Sequence, residues 1–164
     1  MSDTTGIMFF CLGNICRSPL AEALFRHHAE ARDLAHRFHI ESSGTSAYHV
    51  GDPPDPGSVR VARNRLGMDI TSQRAQQLTS DHLARFDFAV AMDASNLQNA
   101  RRLTTTPASR LLLLRDFEPD PSLHGRDVPD PWGGGPRGFD EVFDIVHRCT
   151  EGLLDHLLTL QAPP

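Results

Sequence analysis

Two cysteines, an arginine and a serine fall within the eight-residue string CLGNICRS, Cys11 to Ser18, directly after the apolar run Ile7 to Phe10. Two thiols, a guanidinium and a hydroxyl at this spacing admit four readings: a metal clip, a disulfide, a buried turn, or a nucleophile in an anion cradle. A zinc clip wants C-x2-C pairs with further Cys or His ligands. Here the pair is C-x4-C, the third cysteine (Cys149) lies in the apolar stripe of the last helix, and the nine histidines form no pattern with them. No metal and no cofactor is expected. A structural disulfide is not needed at this chain length, and three cysteines cannot all pair. A plain strand-to-helix turn accounts for Gly13 and Pro19 but not for a Cys, an Arg and a Ser together.

The cradle accounts for all of them. A loop from Leu12 to Arg17 leads into a helix N-terminus, whose free N–H groups and dipole favour an anion. Gly13 and Asn14 tolerate positive φ, which lets several backbone N–H groups point into one concavity. Arg17 adds a planar fork that matches two phosphate oxygens. The same field favours the thiolate of a Cys placed inside it. Ser18 stands where a helix N-cap is wanted. A bound dianion with a thiolate at its centre is what phosphate-ester cleavage through a cysteinyl-phosphate uses.

Such a loop must be held by a sheet and helices. Ile7 to Phe10, Phe38 to Ser42, Asp87 to Met92 and Arg110 to Leu114 read as strands, the first and last nearly all apolar. Helical patterns follow from Pro19, Ser58 to Leu66 (stopped by Gly67), Asp93 to Leu103 and Phe139 to Leu160. Tyr48 to Gly57 and Pro119 to Gly138 read as loops, the second holding five Pro and five Gly. This alternation predicts one α/β domain over residues 1–164: an open parallel four-stranded sheet, helices on both faces, flavodoxin-like, with the phosphate loop between first strand and first helix. Ligands of such sheets bind beyond the carboxyl ends of the strands, near the switch point.

The bulk composition narrows the classes. At 164 residues and 39% hydrophobic content, one core is the natural expectation. The formal net charge is −5 and the chain has no Lys, which argues against a nucleic-acid partner. The polar start and the short run Ile7 to Leu12 fit neither a signal core nor a membrane span, so a cytoplasmic protein with reduced thiols is expected.

The string CLGNICRS, a C-x5-R-S loop, resembles that of the low-molecular-weight protein tyrosine phosphatases. Ser43 to Gly51 (SGTSAYHVG) with Asp55-Pro56, Ala91 to Leu97 (AMDASNL) and Asp130-Pro131-Trp132 resemble that family's further motifs, in order and over nearly the whole chain. The resemblance implies Cys11 as nucleophile, Arg17 with the N–H groups of Leu12 to Ser18 as the phosphate clamp, and Ser18 as donor to the Cys11 sulfur. Asn14 is expected to hold the loop with Ser43 and Asn96 as partners. Asp130 is the expected general acid and base, with Asp120-Pro121 as its internal rival. Tyr48 and Trp132, each the only one of its kind and each in a Gly/Pro-rich loop, are expected to wall a slot for the substrate ring, with Leu12 and Ile15 as its floor. In phosphoarginine-specific relatives Thr tends to replace the residue corresponding to Ile15. Cys16 has two readings, an inert neighbour or the partner of Cys11 in a reversible disulfide that protects the nucleophile, and the resemblance favours the second.

The implied partner is a phosphotyrosine-containing protein, without nucleic acid or membrane, met by a monomer or weak dimer. Two departures stand out. Gln73 replaces a His that relatives often carry, and Trp132 is followed by Gly133-Gly134-Gly135 instead of a second aromatic. Two rivals remain: an arsenate reductase, whose further cysteines near Asp81 to Met92 are missing, and a non-catalytic phosphate-binding module, which needs neither thiolate nor acid.

Overall fold

The apolar run becomes β1 (Thr5–Cys11), buried over its last five residues. A computed structural model describes residues 4–161; Met1 to Asp3 of the polar start and residues 162–164 lie outside the described residues. Beside β1 lie β2 (Phe38–Gly44) on one edge and β3 (Phe88–Ala91) on the other, with β4 (Arg110–Leu113) beyond β3. The order is β2-β1-β3-β4 and every pairing is parallel. This is the flavodoxin-like arrangement, whose strand order reverses between β1 and β3 and leaves a crevice at their carboxyl ends.

Period-two alternation in β1 divides its side chains between two cores. Ile7, Phe9 and Cys11 pack with α1 (Arg17–Ala31), α2 (Pro56–Leu66) and α5 (Pro136–Gln161) on one face. Met8 and Phe10 pack on the other with Leu83 of α3 (Ser80–Arg85) and Ala100 of α4 (Ala94–Arg101). Helices therefore cover both faces, which explains why the central strands β1 and β3 are apolar through their buried residues, while the edge strand β2 alternates over Phe38 to Glu41.

Several boundaries differ from expectation. α1 starts at Arg17 with Cys16 at its N-cap and no side-chain cap, so Ser18 lies inside the helix with its hydroxyl engaged elsewhere. α2 starts at Pro56, capped by Asp55, whose side chain accepts from Gly57 N; Gly67 ends it at φ 65°, as its position predicts. α3 escapes periodicity because it has only six residues; its signal is the capping box formed by Thr79 and His82. The late Pro/Gly loop contains a 3-10 turn at Pro121–Leu123, and α5 begins at Pro136, where proline suits a first turn. Among the described residues no helix is long and apolar enough to cross a membrane.

Candidate active site

Cys11 is the last residue of β1, paired with Gly44 of β2, so the sheet fixes where its sulfur begins. The loop that follows is held by its carbonyls. Cys11 O and Leu12 O accept from Thr45 N and Ser46 N, both at 2.9 Å; Ile15 O accepts from Asp55 N (2.8 Å) and Cys16 O from the Ser58 hydroxyl (2.9 Å). With the carbonyls turned outward, no protein acceptor among the described residues meets the N–H groups of Leu12 to Cys16. They form the nest expected of an anion site. Gly44 allows the fit, since a Cβ there would stand 2.7 Å from Leu12 O and 3.0 Å from Asn14 N.

Asn14 takes the left-handed conformation at φ 58°, as its residue type permits. Its side chain is fully used: Nδ2 donates to Ser18 Oγ (2.8 Å) and Ser42 Oγ (3.0 Å), and Oδ1 accepts from Gln76 N (3.0 Å). The expected partners Ser43 and Asn96 are thus replaced by Ser42, Ser18 and Gln76. The reason is the strand period. Ser42 shares parity with Phe38 and Ile40, which face α1, whereas Ser43 points to the opposite face. Ser43 contributes its carbonyl, 3.3 Å from Ser18 Oγ, and its own buried hydroxyl has no partner among the described residues. Asn96 works on α4: its side chain and that of Asp93 form a reciprocal capping box. Gln73 does not reach Asn14; its Nε2 donates to Pro19 O (3.1 Å).

Ser18 Oγ lies 3.1 Å from Cys11 Sγ. Arg17 is only 2% exposed. One end of its fork is spoken for, with Nη1 donating to Asp93 Oδ2 (2.7 Å) and to Val128 O (3.0 Å). Among the described residues its buried Nε has no acceptor, and Nη2 meets only Asp130 Oδ2, at 3.8 Å. A buried guanidinium with the Nε edge unpaired is poised for a bidentate oxyanion. Burial by itself lowers the guanidinium pKa; the electrostatic interaction with Cys11, the Asp93 hydrogen bond and charge, and Asp130 together outweigh it and hold Arg17 above its ordinary value.

These groups share one cavity of about 260 Å³. Cys11, Leu12, Gly13 and Ile15 line it with Arg17; Tyr48, Trp132 and Asp130 stand with them. Tyr48 and Trp132 are 82% and 62% exposed, so neither belongs to the core. Asp130 Oδ1 accepts from Trp132 N (3.0 Å), which ties the acid to the aromatic, and its side chain is 45% exposed. Asp120 is elsewhere: it caps the 3-10 turn through Ser122 N (3.0 Å) and does not line the cavity.

Cys16 also lines the cavity but is buried and free, and burial, with Asp55, Cys11 and Asp130 adding to it and Arg17 opposing, pushes its thiol well up. Cys149 is buried in the core, and burial beside Glu118 raises its pKa to about 12. Neither thiol is disposed to replace Cys11 as the nucleophile toward a bound ester.

Sequence reading misses several participants, among them Gln76, whose N–H holds Asn14. Gly44, Ser42 and Asp93 support the loop and the arginine, and Asp93 had a legible signal in the spacing Asp93-x-x-Asn96 of a capping box. His49 lines the cavity, its Nδ1 3.2 Å from Asp52 Oδ2 and its Cδ2 3.0 Å from where a Cβ on Gly13 would lie. Among the described residues no group of three or more His, Cys, Asp or Glu side chains is arranged to hold a metal.

A thiol at the carboxyl end of the first strand, ringed by free N–H groups and a buried arginine, defines a flavodoxin-like protein with an oxyanion cradle at its switch point. Residues 6–162 match the family described as low molecular weight phosphotyrosine protein phosphatase, and the chain belongs to that family. It is 40% identical over 154 residues to a low molecular weight protein-tyrosine-phosphatase of Streptomyces coelicolor, covering 92% of each chain. It is 33% identical over 168 residues to a low molecular weight phosphotyrosine protein phosphatase of Dictyostelium discoideum, covering 94% of each. The crystal structure of YfkJ from Bacillus subtilis superposes with a TM-score of 0.89 at 33% identity, covering 97% of this chain and 98% of that one.

Proposed function

We propose that this chain, acting over residues 1–164 as one domain, hydrolyses phosphotyrosine in proteins through a cysteinyl-phosphate. The observation that carries this reading is the unpaired Nε edge of buried Arg17, in one cavity with Cys11 and with Asp130 3.8 Å from Nη2. Binding alone needs neither the thiol nor the acid.

The thiolate of Cys11 attacks phosphorus in line with the leaving phenolate. An S–P bond forms, the P–O bond to the aryl group breaks, and Asp130 gives the phenolate its proton. The loop N–H groups and Arg17 carry the equatorial oxygens, where charge is spread in the transition state. Ser18 donates to sulfur and steadies the thiolate as entering and leaving group. Asp130, now a carboxylate, takes a proton from water as that water attacks phosphorus; the S–P bond breaks and phosphate and thiolate are released. Asn14, through Ser18, Ser42 and the Gln76 N–H, keeps the loop in shape; the Ser43 carbonyl accepts the single Ser18 proton whenever the sulfur does not, and Asn96 holds Asp93 against Arg17.

Tyr48 and Trp132 flank the aryl ring over a floor of Leu12 and Ile15. A slot of this kind admits the long phosphotyrosine side chain and leaves a phosphoserine too short to reach Cys11. Ile15 gives an apolar floor suited to an aromatic ring, which favours phosphotyrosine over phosphoarginine. A nucleophile that must stay reduced fits a reducing, cytoplasmic setting; where a peroxide oxidises Cys11 to the sulfenic acid, the Cys16 sulfur displaces water from it to form a disulfide, which a cellular thiol reduces again. The partner is then a phosphoprotein met by a monomer or weak dimer, and neither nucleic acid nor membrane enters the reaction.

Hydrolysis of p-nitrophenyl phosphate tests this. Wild type turns over, and Cys11→Ser loses at least about a thousandfold in kcat while still binding inorganic phosphate. A Cys11→Ser protein as active as wild type overturns the proposal.

A further inference from the structure

The acid Asp130 sits on a long loop, and what fixes its height above Cys11 lies outside the cavity. Glu118 opens that loop and is completely buried at its side chain, between two arginines. Arg148 of α5 holds it through Nε to Oε1 (2.5 Å) and Nη2 to Oε2 (3.0 Å). Arg115, in the 3-10 turn after β4, donates from Nε to Glu118 Oε2 (2.8 Å), with Nη2 also 2.8 Å away. The remaining end of the Arg115 fork donates from Nη1 to the carbonyl of Asp127 (3.0 Å). Asp127 and Val128 are the stem of the acid loop. Val128 N donates to Met92 O (2.8 Å) at the end of β3, and Val128 O accepts from the catalytic Arg17 (3.0 Å). Asp130 follows two residues later.

We propose that Arg115, braced by Glu118 and Arg148, is a positioning device for the general acid of the reaction argued above, and this inference rests on that reading. The charge arrangement is what such a device requires. Two arginines on one carboxylate leave the cluster with a net positive charge, and the spare end of the Arg115 fork goes to a backbone carbonyl. Because Arg148 is on α5 and the acid loop returns into α5 at Pro136, both ends of the loop are referenced to the same helix. Buried carboxylates held by two guanidiniums are costly to desolvate and are poor general stabilisers compared with an apolar replacement. A register function explains their placement under a catalytic loop. A shift of about 1 Å in a reacting group is enough to cost a large factor in rate.

The test uses the full chain, with phenyl phosphate as a poor leaving group and p-nitrophenyl phosphate as a good one. Arg115→Met leaves Glu118 paired with Arg148 but frees the Asp127 carbonyl. The ratio of kcat/KM on phenyl phosphate to that on p-nitrophenyl phosphate falls by about tenfold, because protonation of the leaving group is the step lost. In an Asp130→Ala background the same substitution leaves that ratio unmoved, since there is no acid left to misplace. Should Arg115→Met not fold, Arg115→Lys keeps the charge against Glu118 but cannot span to the carbonyl, and it shows the same change in ratio. An equal loss on both esters, or a lowered Tm with an unchanged ratio, overturns the inference and assigns the cluster to stability alone. Wild type inactive on both esters sinks the phosphatase reading itself and takes this inference with it.

Discussion

Asp130 and Asp120 present the same dipeptide, Asp-Pro, ten positions apart, and only their surroundings separate them. Asp130 stands 3.8 Å from Arg17 and lines the cavity, while Asp120 is fixed to Ser122 in a 3-10 turn, and that hydrogen bonding holds its carboxyl below the ordinary value. On phenyl phosphate, Asp130→Ala is expected to lower kcat by about 10²- to 10⁴-fold, the usual worth of a general acid. Asp120→Ala is expected to stay within a factor of about two, because a solvated carboxylate that does not line the cavity touches no reacting atom. Steady-state rates of the two variants decide this, and a larger loss at Asp120 would reverse the assignment. At this scale the sequence was legible where chemistry restricts residue type: Cys11, Arg17 and Asn14 are hard to replace in a nest. It was illegible for Asn14's partners, because Ser42 and Ser43 are alike in composition and differ only in which face of β2 they occupy.

The elements set the cradle's shape, and Gly44 is where two of them meet. It pairs with Cys11 in the sheet and lies so close to the loop that a methyl group would stand 2.7 Å from Leu12 O and 2.9 Å from the Gly13 carbonyl carbon. Both neighbours are backbone, so neither can swing aside. Gly44→Ala is expected to cost about 1–3 kcal/mol in stability, as overpacking does, and to lower kcat by spreading the N–H groups. Denaturant titration and turnover measured together check it, and a variant of wild-type stability and rate would show that the loop does not depend on this contact. The long elements were readable because β1 and α5 are strongly patterned and Gly67 stops α2 by its left-handed φ. The start of α1 was not, since a serine after a loop reads as a cap, whereas here its hydroxyl serves the cysteine and the helix starts two residues earlier than a Ser18 cap implies, at Arg17 with Cys16 as N-cap. Tertiary demand displaced a local rule at the functional loop, where such exceptions are expected.

In the molecule as a whole, the parallel order β2-β1-β3-β4 brings distant residues to one crevice. Cys11 and Arg17 arrive from β1 and α1, Asp93 from the end of β3, and Tyr48 and Asp130 from two loops. Alternation of strands and helices made that architecture legible. The long-range bonds that tune it, such as Arg115 to Asp127, leave no periodic trace and could be found only in three dimensions. The central claim is that Cys11 carries the phosphoryl group and Asp130 serves both half-reactions. Rapid mixing of Asp130→Ala with p-nitrophenyl phosphate separates them, since p-nitrophenolate leaves without an acid but the hydrolysis of phosphocysteine still needs a base. The expected result is a burst of p-nitrophenolate approaching one equivalent per chain, then slow turnover, with acid-quenched protein phosphorylated at Cys11. Turnover with no burst and no phosphate on Cys11 would contradict the account.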